Sequence, residues 1–277
     1  MTNQSSVPNE PTEADEAERI AEWVVGQILP VQPEPVREQR IRSRLMARVA
    51  ESARQHRSFQ TRRREDGVWQ TRASGVAARH LHDEAGVGMS MLQFNGNATL
   101  DPGPAVCAEE WLVLSGHLSI GGEELGTGDY IFVPSGDQRG SIRALDGARA
   151  YLRTSAAGAA FVDLSGRRLV RAADPDGWQP FCPGVAARML QSASHEGAEH
   201  VSMVLRFDPG ASAAQHAHPA GEECVLIEGE VFLGDMMLRE GEFQWAASGS
   251  RHGTVRSESG CLLFFHGAID PELQAGT

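Results

Sequence analysis

The stretch of sequence that decides the fold covers residues 210–229 and reads Gly-Ala-Ser-Ala-Ala-Gln-His-Ala-His-Pro-Ala-Gly-Glu-Glu-Cys-Val-Leu-Ile-Glu-Gly. His216 and His218 are two residues apart, so on a β-strand both imidazoles would share one face. Glu222 follows four residues later, and His252 lies further along the chain. Imidazole and carboxylate groups are common ligands of divalent transition metals. These four residues are therefore the candidate metal ligands.

The chain repeats itself beyond residue 60, and a constant offset of 113 residues relates the two copies, as between Glu109 and Glu222. The same offset pairs Gly116 with Gly229. Within each copy, short apolar segments alternate with glycine-containing turns, a pattern typical of β-strands. A unit of about 110 residues suits a small barrel or jelly roll. The sequence therefore predicts an all-β chain with two tandem barrels.

Two amphipathic helices are predicted ahead of the repeat, one from Thr12 to Pro30 and one that reaches about Arg57. Their apolar stripes consist of Ile20, Trp23, Val24 and Ile28 in the first helix and of Ile41, Leu45 and Val49 in the second. We expect these stripes either to pack within the chain or to dock on a partner protein. Arg62 to Arg64 is expected to be a solvated run of charge.

The predicted domains follow from these patterns. Residues 1–59 would form a tail and a two-helix arm, with residues 1–11 too polar to order. Residues 60–168 would form the first barrel, and residues 169–277 the second.

Composition and charge restrict the classes of function. The net charge of −12 argues against general nucleic-acid binding, because such binding depends on neutralising phosphates. The chain has no apolar run of eighteen residues and begins with a polar, acidic segment, so neither a membrane span nor a secretory signal is predicted. We therefore expect a cytoplasmic protein. Its cysteines lack Cys-x-x-Cys spacing and are expected to be free thiols: Cys107, Cys182, Cys224 and Cys261.

The first copy lacks three of the four candidate ligands, because the offset places Gly103, Ala105 and Arg139 at their positions. Glu109 alone remains. A lone buried carboxylate is costly, so we expect Arg139 to form an ion pair with Glu109. A second His-x-His segment at residues 80–82 has no carboxylate four residues beyond it, and we expect no metal there.

The second copy resembles the cupin superfamily, whose motifs are G-x5-H-x-H-x3,4-E-x6-G and G-x5-P-x-G-x2-H. Residues 210–229 match the first motif in full. Gly241, Gly249 and His252 match the second, with Ala247 at the usual proline position. The resemblance implies a jelly-roll barrel that binds one divalent metal ion per chain through His216, His218, Glu222 and His252.

More narrowly, the second copy resembles the cupin domain of ChrR-type anti-sigma factors, which binds zinc. Residues 29–33 leading into 42–46 resemble the end of that family's sigma-binding domain. The H-x3-C-x2-C zinc motif of that domain is absent, since no cysteine precedes Cys107. The resemblance implies zinc, although iron, manganese or nickel also suits these ligand types. It further implies a sigma factor or another protein as partner of the arm, and cupins often form homodimers.

Two hypotheses about function follow. The first is a metal-binding protein with a sensing or transcription-regulatory role, in which Cys224 either lies near the metal, on the same strand face as Glu222, or packs in the core. The second is a mononuclear metal enzyme, such as a small-molecule dioxygenase, with its ligand in the second barrel. The candidate lining residues of that ligand site are Arg206, Phe232, Phe243, Gln244 and Trp245.

Overall fold

The computed structural model of the chain describes residues 13–28, 34–100, 103–156, 166–195 and 198–270. Both predicted helices are present, α1 at Glu13–Ile28 and α2 at Pro35–His56. A proline fits the first turn of α2, where a backbone N–H would lack a helical partner anyway. The predicted tail at residues 1–11 lies outside the described residues. No described helix is long and apolar enough to span a bilayer.

Residues 1–51 and 52–277 form two compact units. In the first unit, the described side chains of both apolar stripes are exposed, from 40% for Val24 to 67% for Trp23. Within this unit, packing of the two stripes on each other is therefore not observed for these side chains.

The first barrel is a sheet in which β10, β8, β6, β9, β4, β3 and β2 follow one another, with β5 beside β9 and β7 beside β6. Its strands are β2 (Trp69–Ala73), β3 (Val76–Glu84), β4 (Val87–Phe94), β5 (Thr99–Leu100), β6 (Ala108–Ile120), β7 (Glu123–Leu125), β8 (Tyr130–Val133), β9 (Ile142–Ser155) and β10 (Arg168–Val170). The paired strands are antiparallel, as expected for a jelly roll.

The second barrel repeats this arrangement with β1, β18, β16, β21, β13, β12 and β11 in order. Its strands are β1 (Phe59–Arg62), β11 (Trp178–Cys182), β12 (Val185–His195), β13 (Ala198–Phe207), β14 (Ser212–Ala213), β15 (His216–Ala217), β16 (Glu222–Leu233), β17 (Met236–Arg239), β18 (Phe243–Ala246), β19 (Arg251–His252), β20 (Val255–Arg256) and β21 (Cys261–Ala268). The all-β prediction, with two cupin barrels and a helical arm, is confirmed.

Glycine is required at equivalent positions of the long strands β6 and β16. Gly116 and Gly229 have φ angles of 75° and 83°, where other residues are strained. A side chain at Gly116 would collide with the carbonyl oxygen of Gly147, and one at Gly229 with that of Gly260. The repeated glycines therefore allow β9 and the segment before β21 to approach these strands closely.

The two barrels exchange their short outer strands. β1, which precedes the first barrel in sequence, pairs with β18 of the second, while β10 pairs with β8 of the first. The arginines after β1 strengthen this exchange, because Arg63 bonds to the carboxylate of Glu242 at 2.6 Å and Arg64 donates to the carbonyl oxygen of Glu240 at 2.5 Å. The expectation of a solvated charge run at residues 62–64 therefore holds for the exposed Arg64 but is wrong for Arg62 and Arg63, which are partly buried and bonded.

Each barrel has its own apolar core, and a third core lies where the barrels meet. Phe243 and Phe264 of the second barrel pack in this shared core with Tyr130 and Tyr151 of the first. Apolar burial stabilises by about 25 cal/mol per Å², so these large aromatic side chains hold the two barrels together.

Candidate metal centre

The four candidate ligands come from three short segments of the second barrel. His216 opens β15 and is the cross-strand partner of His252 in β19. His218 follows β15, where its backbone N–H donates to the carbonyl oxygen of Ser250 at 3.0 Å. Glu222 is the first residue of β16. The fold therefore brings His252 of β19 to three side chains that lie within residues 216–222.

The ligand atoms of these side chains converge on one point. Nε2 of His216 and of His218 lie 3.6 and 3.4 Å from Oε2 of Glu222, and Nε2 of His252 lies 3.3 Å from Oε1. One ligand atom each from His216, His218 and Glu222 lie within 4.8 Å of one another. Ligands about 2.1 Å from one transition metal lie roughly 3.4 Å apart in a tetrahedron. The cluster could therefore hold a single metal ion.

Hydrogen bonds fix which imidazole nitrogens face the centre. Nδ1 of His216 donates to the carbonyl oxygen of Ala214 at 3.1 Å. Nδ1 of His218 lies 2.8 Å from Oγ of Ser250, whose hydroxyl proton is donated to the carbonyl oxygen of Ala247. Ser250 Oγ must therefore accept a hydrogen bond from the Nδ1–H of His218. In both residues the lone pair of Nε2 points at the centre, as in metal sites whose ligands are oriented by outer partners.

Two of these nitrogens are buried without a hydrogen-bond partner among the described residues, Nε2 of His218 and Nε2 of His252. His218 and His252 are 1% and 3% exposed. A buried polar atom without a partner costs free energy. A metal ion would satisfy both nitrogens at once, so the residues present fit such an ion.

The charges within the cluster also suit a metal. Burial lowers the pKa of His218 to about 4, so its imidazole is neutral at neutral pH. Burial alone would raise the pKa of Glu222, but the neighbouring imidazoles of His216, His252 and His218 outweigh it and hold that pKa well below its ordinary value. For His216, burial lowers the pKa, but the nearby carboxylate of Glu222 outweighs burial and raises it. The neutral imidazole of His218 and the ionised carboxylate of Glu222 are in the forms that bind metals.

A cavity of about 30 Å³ adjoins two of the four side chains, His216 and Glu222. It offers space for one or two water molecules. Its walls are mostly apolar and include Phe181, Met203, Leu205, Phe207, Leu233, Leu263, Phe265 and Ile269. Besides His216 and Glu222, the titratable residues of its lining are Cys224 and Asp270.

The prediction of which residues line a ligand site in the second barrel is wrong, because none of the five predicted residues lines this cavity. Phe243 packs in the core between the barrels, and Trp245 stacks on His82 at 4.2 Å. Phe232 lies under the guanidinium of Arg256. The reason is strand parity: in β18, Ala246 opposite Glu222 faces inward, so Phe243 and Trp245 face outward. Arg206 and Gln244 also lie outside the cavity lining.

Cys224 lies beside the cluster, as parity suggested, with Sγ 3.5 Å from Oε1 of Glu222. Burial raises the pKa of its thiol well above the ordinary value, and the neighbouring carboxylate raises it further. Because the thiolate is the reactive form, Cys224 is a protonated core residue in this geometry. The described cysteines are free thiols.

Phe59 was not identified from the sequence, although it covers the cluster from β1. Its ring stacks on His252, with centroids 4.7 Å apart and planes 12° apart, and meets the ring of His218 edge-on at 6.0 Å. Phe59 lies in β1, which precedes the first barrel in sequence but pairs with β18 of the second. Only the strand exchange reveals this contact.

The first barrel holds an ion pair where the second holds the cluster. Nη1 of Arg139 lies 2.7 Å from Oε1 of Glu109, as predicted, and the indole of Trp111 donates to Oε2 at 2.8 Å. The His-x-His segment gathers no second ligand: His80 is exposed near Asp83. Among the described residues, only the cluster in the second barrel has metal-ligand geometry.

A buried polar network between the barrels was also missed. Arg153 bonds both to Glu110, at 3.1 Å, and to Glu223, at 3.0 Å. Tyr130 donates to Glu110 at 2.8 Å and Tyr151 to Glu223 at 2.5 Å. Burial raises the pKa of Glu223. The sequence did contain a signal for this network, because Glu109-Glu110 recurs as Glu222-Glu223 at the 113-residue offset. Neighbouring residues of a strand face opposite sides, so one glutamate of each pair faces the barrel interior and the other faces this network.

Comparison with known proteins agrees with this architecture. Residues 166–269 match the family described as the ChrR Cupin-like domain. No curated protein matches the chain by sequence.

Among solved structures, the chain is similar to a candidate dioxygenase from Nostoc punctiforme PCC 73102, with a TM-score of 0.61 and 16% identity over 77% of this chain and 83% of that one. It is also similar to protein Ylba from E. coli, with a TM-score of 0.61 and 13% identity over 76% of this chain and 91% of that one. A third similar structure is oxalate decarboxylase from Bacillus subtilis, with a TM-score of 0.51 and 15% identity over 76% of both chains.

At these identities the structural likeness establishes the fold alone, and the family match covers the barrel that contains the cluster. The chain therefore has the cupin fold, and its residues 166–269 match the ChrR Cupin-like domain family.

Proposed function

We propose that the second barrel binds one divalent metal ion through His216, His218, Glu222 and His252, and that the protein has a sensing or transcription-regulatory role. The observation that carries the proposal is the pair of buried imidazole nitrogens, Nε2 of His218 and Nε2 of His252, which face Glu222 without a hydrogen-bond partner. Leaving them so costs free energy that a metal would recover. When bound, the ion supplies a Lewis acid and a fixed positive charge.

Zinc is the proposed metal. Three imidazoles and a carboxylate accept zinc, iron, manganese or nickel, so the ligand types do not choose among them. The resemblance of this barrel to the zinc-binding cupin domain of ChrR-type anti-sigma factors implies zinc, and the match of residues 166–269 to the ChrR Cupin-like domain supports that resemblance.

The surroundings of the cluster favour binding over catalysis. The cavity beside His216 and Glu222 is too small for a substrate of many atoms. The carboxylate of Asp270 accepts the backbone N–H of Ala217 at 2.7 Å, so it supports β15. The thiol of Cys224 is protonated. Neither group is arranged as a general base for a substrate in this cavity.

The helical arm is the proposed contact with a partner protein, such as a sigma factor. Support comes from the exposed side chains of its stripes, since Ile41, Leu45 and Val49 are each more than half exposed. Apolar helix faces of this kind dock into grooves of partner proteins. Pull-downs with the full chain and with residues 52–277 test this: a partner held equally by both would refute a role for the stripes. The chain is further proposed to form a homodimer, which size-exclusion chromatography with light scattering measures.

Elemental analysis of protein purified without added metal tests the central proposal. We expect about one zinc per chain in the natural protein and none in the His218→Ala/His252→Ala variant. The matched control replaces two exposed histidines, His80 and His117, and should keep its metal. A protein that folds but contains no metal after zinc is added would overturn the proposal.

The second candidate function is a mononuclear metal enzyme acting on a small molecule. The cavity that adjoins His216 and Glu222 favours it, because a small reactant could reach the cluster there. Likeness to the candidate dioxygenase and to oxalate decarboxylase supports the same idea. Oxygen consumption by iron-loaded and manganese-loaded protein with candidate substrates decides between the functions. Sustained turnover would favour the enzyme, and stable metal without turnover the sensor.

A further inference from the structure

A surface groove and the cavity beside the metal cluster share part of their walls. The groove, of about 840 Å³, is lined by residues of β11 and the turn after it, together with Arg206, Asp208 and Ile269. Phe181 and Ile269 line both spaces. These two side chains are therefore the partition between solvent in the groove and the cavity that adjoins His216 and Glu222.

Phe181 occupies a local irregularity in β11. In the ladder between β11 and β12, Pro180 pairs with Ala186 and Cys182 pairs with Val185, which leaves Phe181 without a partner. β11 is also the outermost strand of its sheet in the described chain. Bulges at sheet edges re-aim a side chain and occur next to functional sites. Phe181 is thus turned toward the cavity by a backbone that fewer ladder bonds restrain.

The first barrel supplies an internal comparison. Its strand β2 has the same irregularity, between Thr71 and Ala73, so Arg72 stands where the second barrel has Phe181. Arg72 is exposed. The bulge is therefore present in both copies, but an apolar side chain closes the barrel only in the copy that contains the metal cluster.

The opposite side of the cluster is closed in a different way. Phe59 stacks on His252 and contacts the edge of His218, whereas the cavity adjoins the other two ligands, His216 and Glu222. A molecule that reaches the cluster through Phe59 would have to displace a ring packed on two imidazoles. A molecule that enters from the groove would pass only Ile269 and Phe181, which has no partner in the strand ladder.

We propose that small molecules enter the cavity beside the metal cluster from the groove, between Phe181 and Ile269, and that the cavity admits only molecules of two or three heavy atoms. The cavity volume sets the size, because it matches about two water molecules. The proposal rests on the proposed metal site and specifies which ligand reaches it.

Stopped-flow binding of nitric oxide to iron(II)-loaded protein tests the gate, because this neutral diatomic molecule gives an optical and paramagnetic signal when it binds iron. Metal content is measured first for every variant. Phe181→Ala should raise the association rate at least tenfold, and Phe181→Trp should lower it. The matched control is Phe232→Ala, which removes an aromatic ring of the same barrel that does not line the cavity, and its rate should stay within twofold of the natural protein.

The outcomes separate the gate from the metal site. If Phe181→Ala and Phe181→Trp both take up iron fully and bind nitric oxide at the natural rate, the gate is refuted while the metal site stands. If Phe59→Ala alone accelerates binding, entry occurs from the β1 side and the gate is likewise refuted. Failure of the natural protein to take up iron or zinc refutes the proposed function instead.

Discussion

Removing one member of the Glu109–Arg139 ion pair should destabilise the first barrel strongly. The side chains of Arg139 and Glu109 are 16% and 6% exposed, and their charged atoms are 2.7 Å apart. Arg139→Met leaves the carboxylate of Glu109 with a hydrogen bond from the indole N–H of Trp111, at 2.8 Å. The loss of a partner from a buried pair costs about 3 to 5 kcal/mol. Because Arg139 reaches the surface, we expect the lower end, about 3 kcal/mol.

Removing the charge of Glu109 instead should lower the free energy of unfolding by less. Glu109→Gln removes the charge but keeps an oxygen for Trp111, and the guanidinium of Arg139 can turn toward water. We therefore expect a loss of about 1 to 2 kcal/mol in the free energy of unfolding. The double variant should lose less than the sum of the single variants, by about 1 to 3 kcal/mol, because neither charge then remains buried alone.

Urea unfolding followed by circular dichroism measures all four proteins of this cycle. Glu258→Gln is a suitable control, because the side chains of Arg256 and Glu258 are 44% and 69% exposed and their charged atoms lie 3.4 Å apart. Such surface pairs contribute about 0 to 1 kcal/mol. Metal content of the second barrel should not change in any variant. Losses that add to within about 0.5 kcal/mol would show that Glu109 and Arg139 do not interact, and the reasoning about the lost ligands would fail.

The remaining predictions concern the metal site, the barrel interface, pH and the arm. His216→Ala with His218→Ala should abolish zinc binding measured by calorimetry; unchanged affinity would contradict the ligand assignment. Arg153→Met leaves two buried glutamates without their shared cation and should cost about 3 to 5 kcal/mol in urea unfolding. Burial lowers the pKa of His266 well below 6.5, so the unfolded chain binds a proton that the folded chain does not. Stability should therefore fall as pH drops below about 6.5, with a contribution of about 1.4 kcal/mol per pH unit that His266→Gln removes; an unchanged slope in that variant would refute it. Removal of residues 1–51 should leave metal content and melting temperature nearly unchanged, because the described apolar side chains of the arm are exposed; a large drop in melting temperature would refute this.

The sequence was sufficient for the fold and for the convergence of the four side chains, because these depend on local spacing. His216, His218 and Glu222 lie within one short segment, and strand periodicity alone predicts which of them share a face. The constant offset located Arg139 opposite Glu109 in the same way. The contact between Glu109 and Arg139 could thus be predicted by aligning the first copy with the ligand positions of the second.

Features that depend on the path of the chain in space could not be predicted. Phe59 reaches His252 because β1 joins the second barrel, an exchange that no local pattern encodes. The cavity lining was misassigned because aromatic residues of β18 were placed inside the barrel, whereas their parity turns them toward the first barrel. Arg63 forms an ion pair for the same reason, since its partner Glu242 follows 179 residues later.

X-ray absorption at the K-edge of the metal that copurifies with the protein is the most direct test of the central claim. With zinc bound by His216, His218, Glu222 and His252, the first shell should contain nitrogen and oxygen at about 2.0 to 2.2 Å, with the multiple scattering of three imidazoles. A sulfur shell near 2.3 Å would place Cys224 on the metal and contradict the assignment, as would the scattering of fewer than three imidazoles.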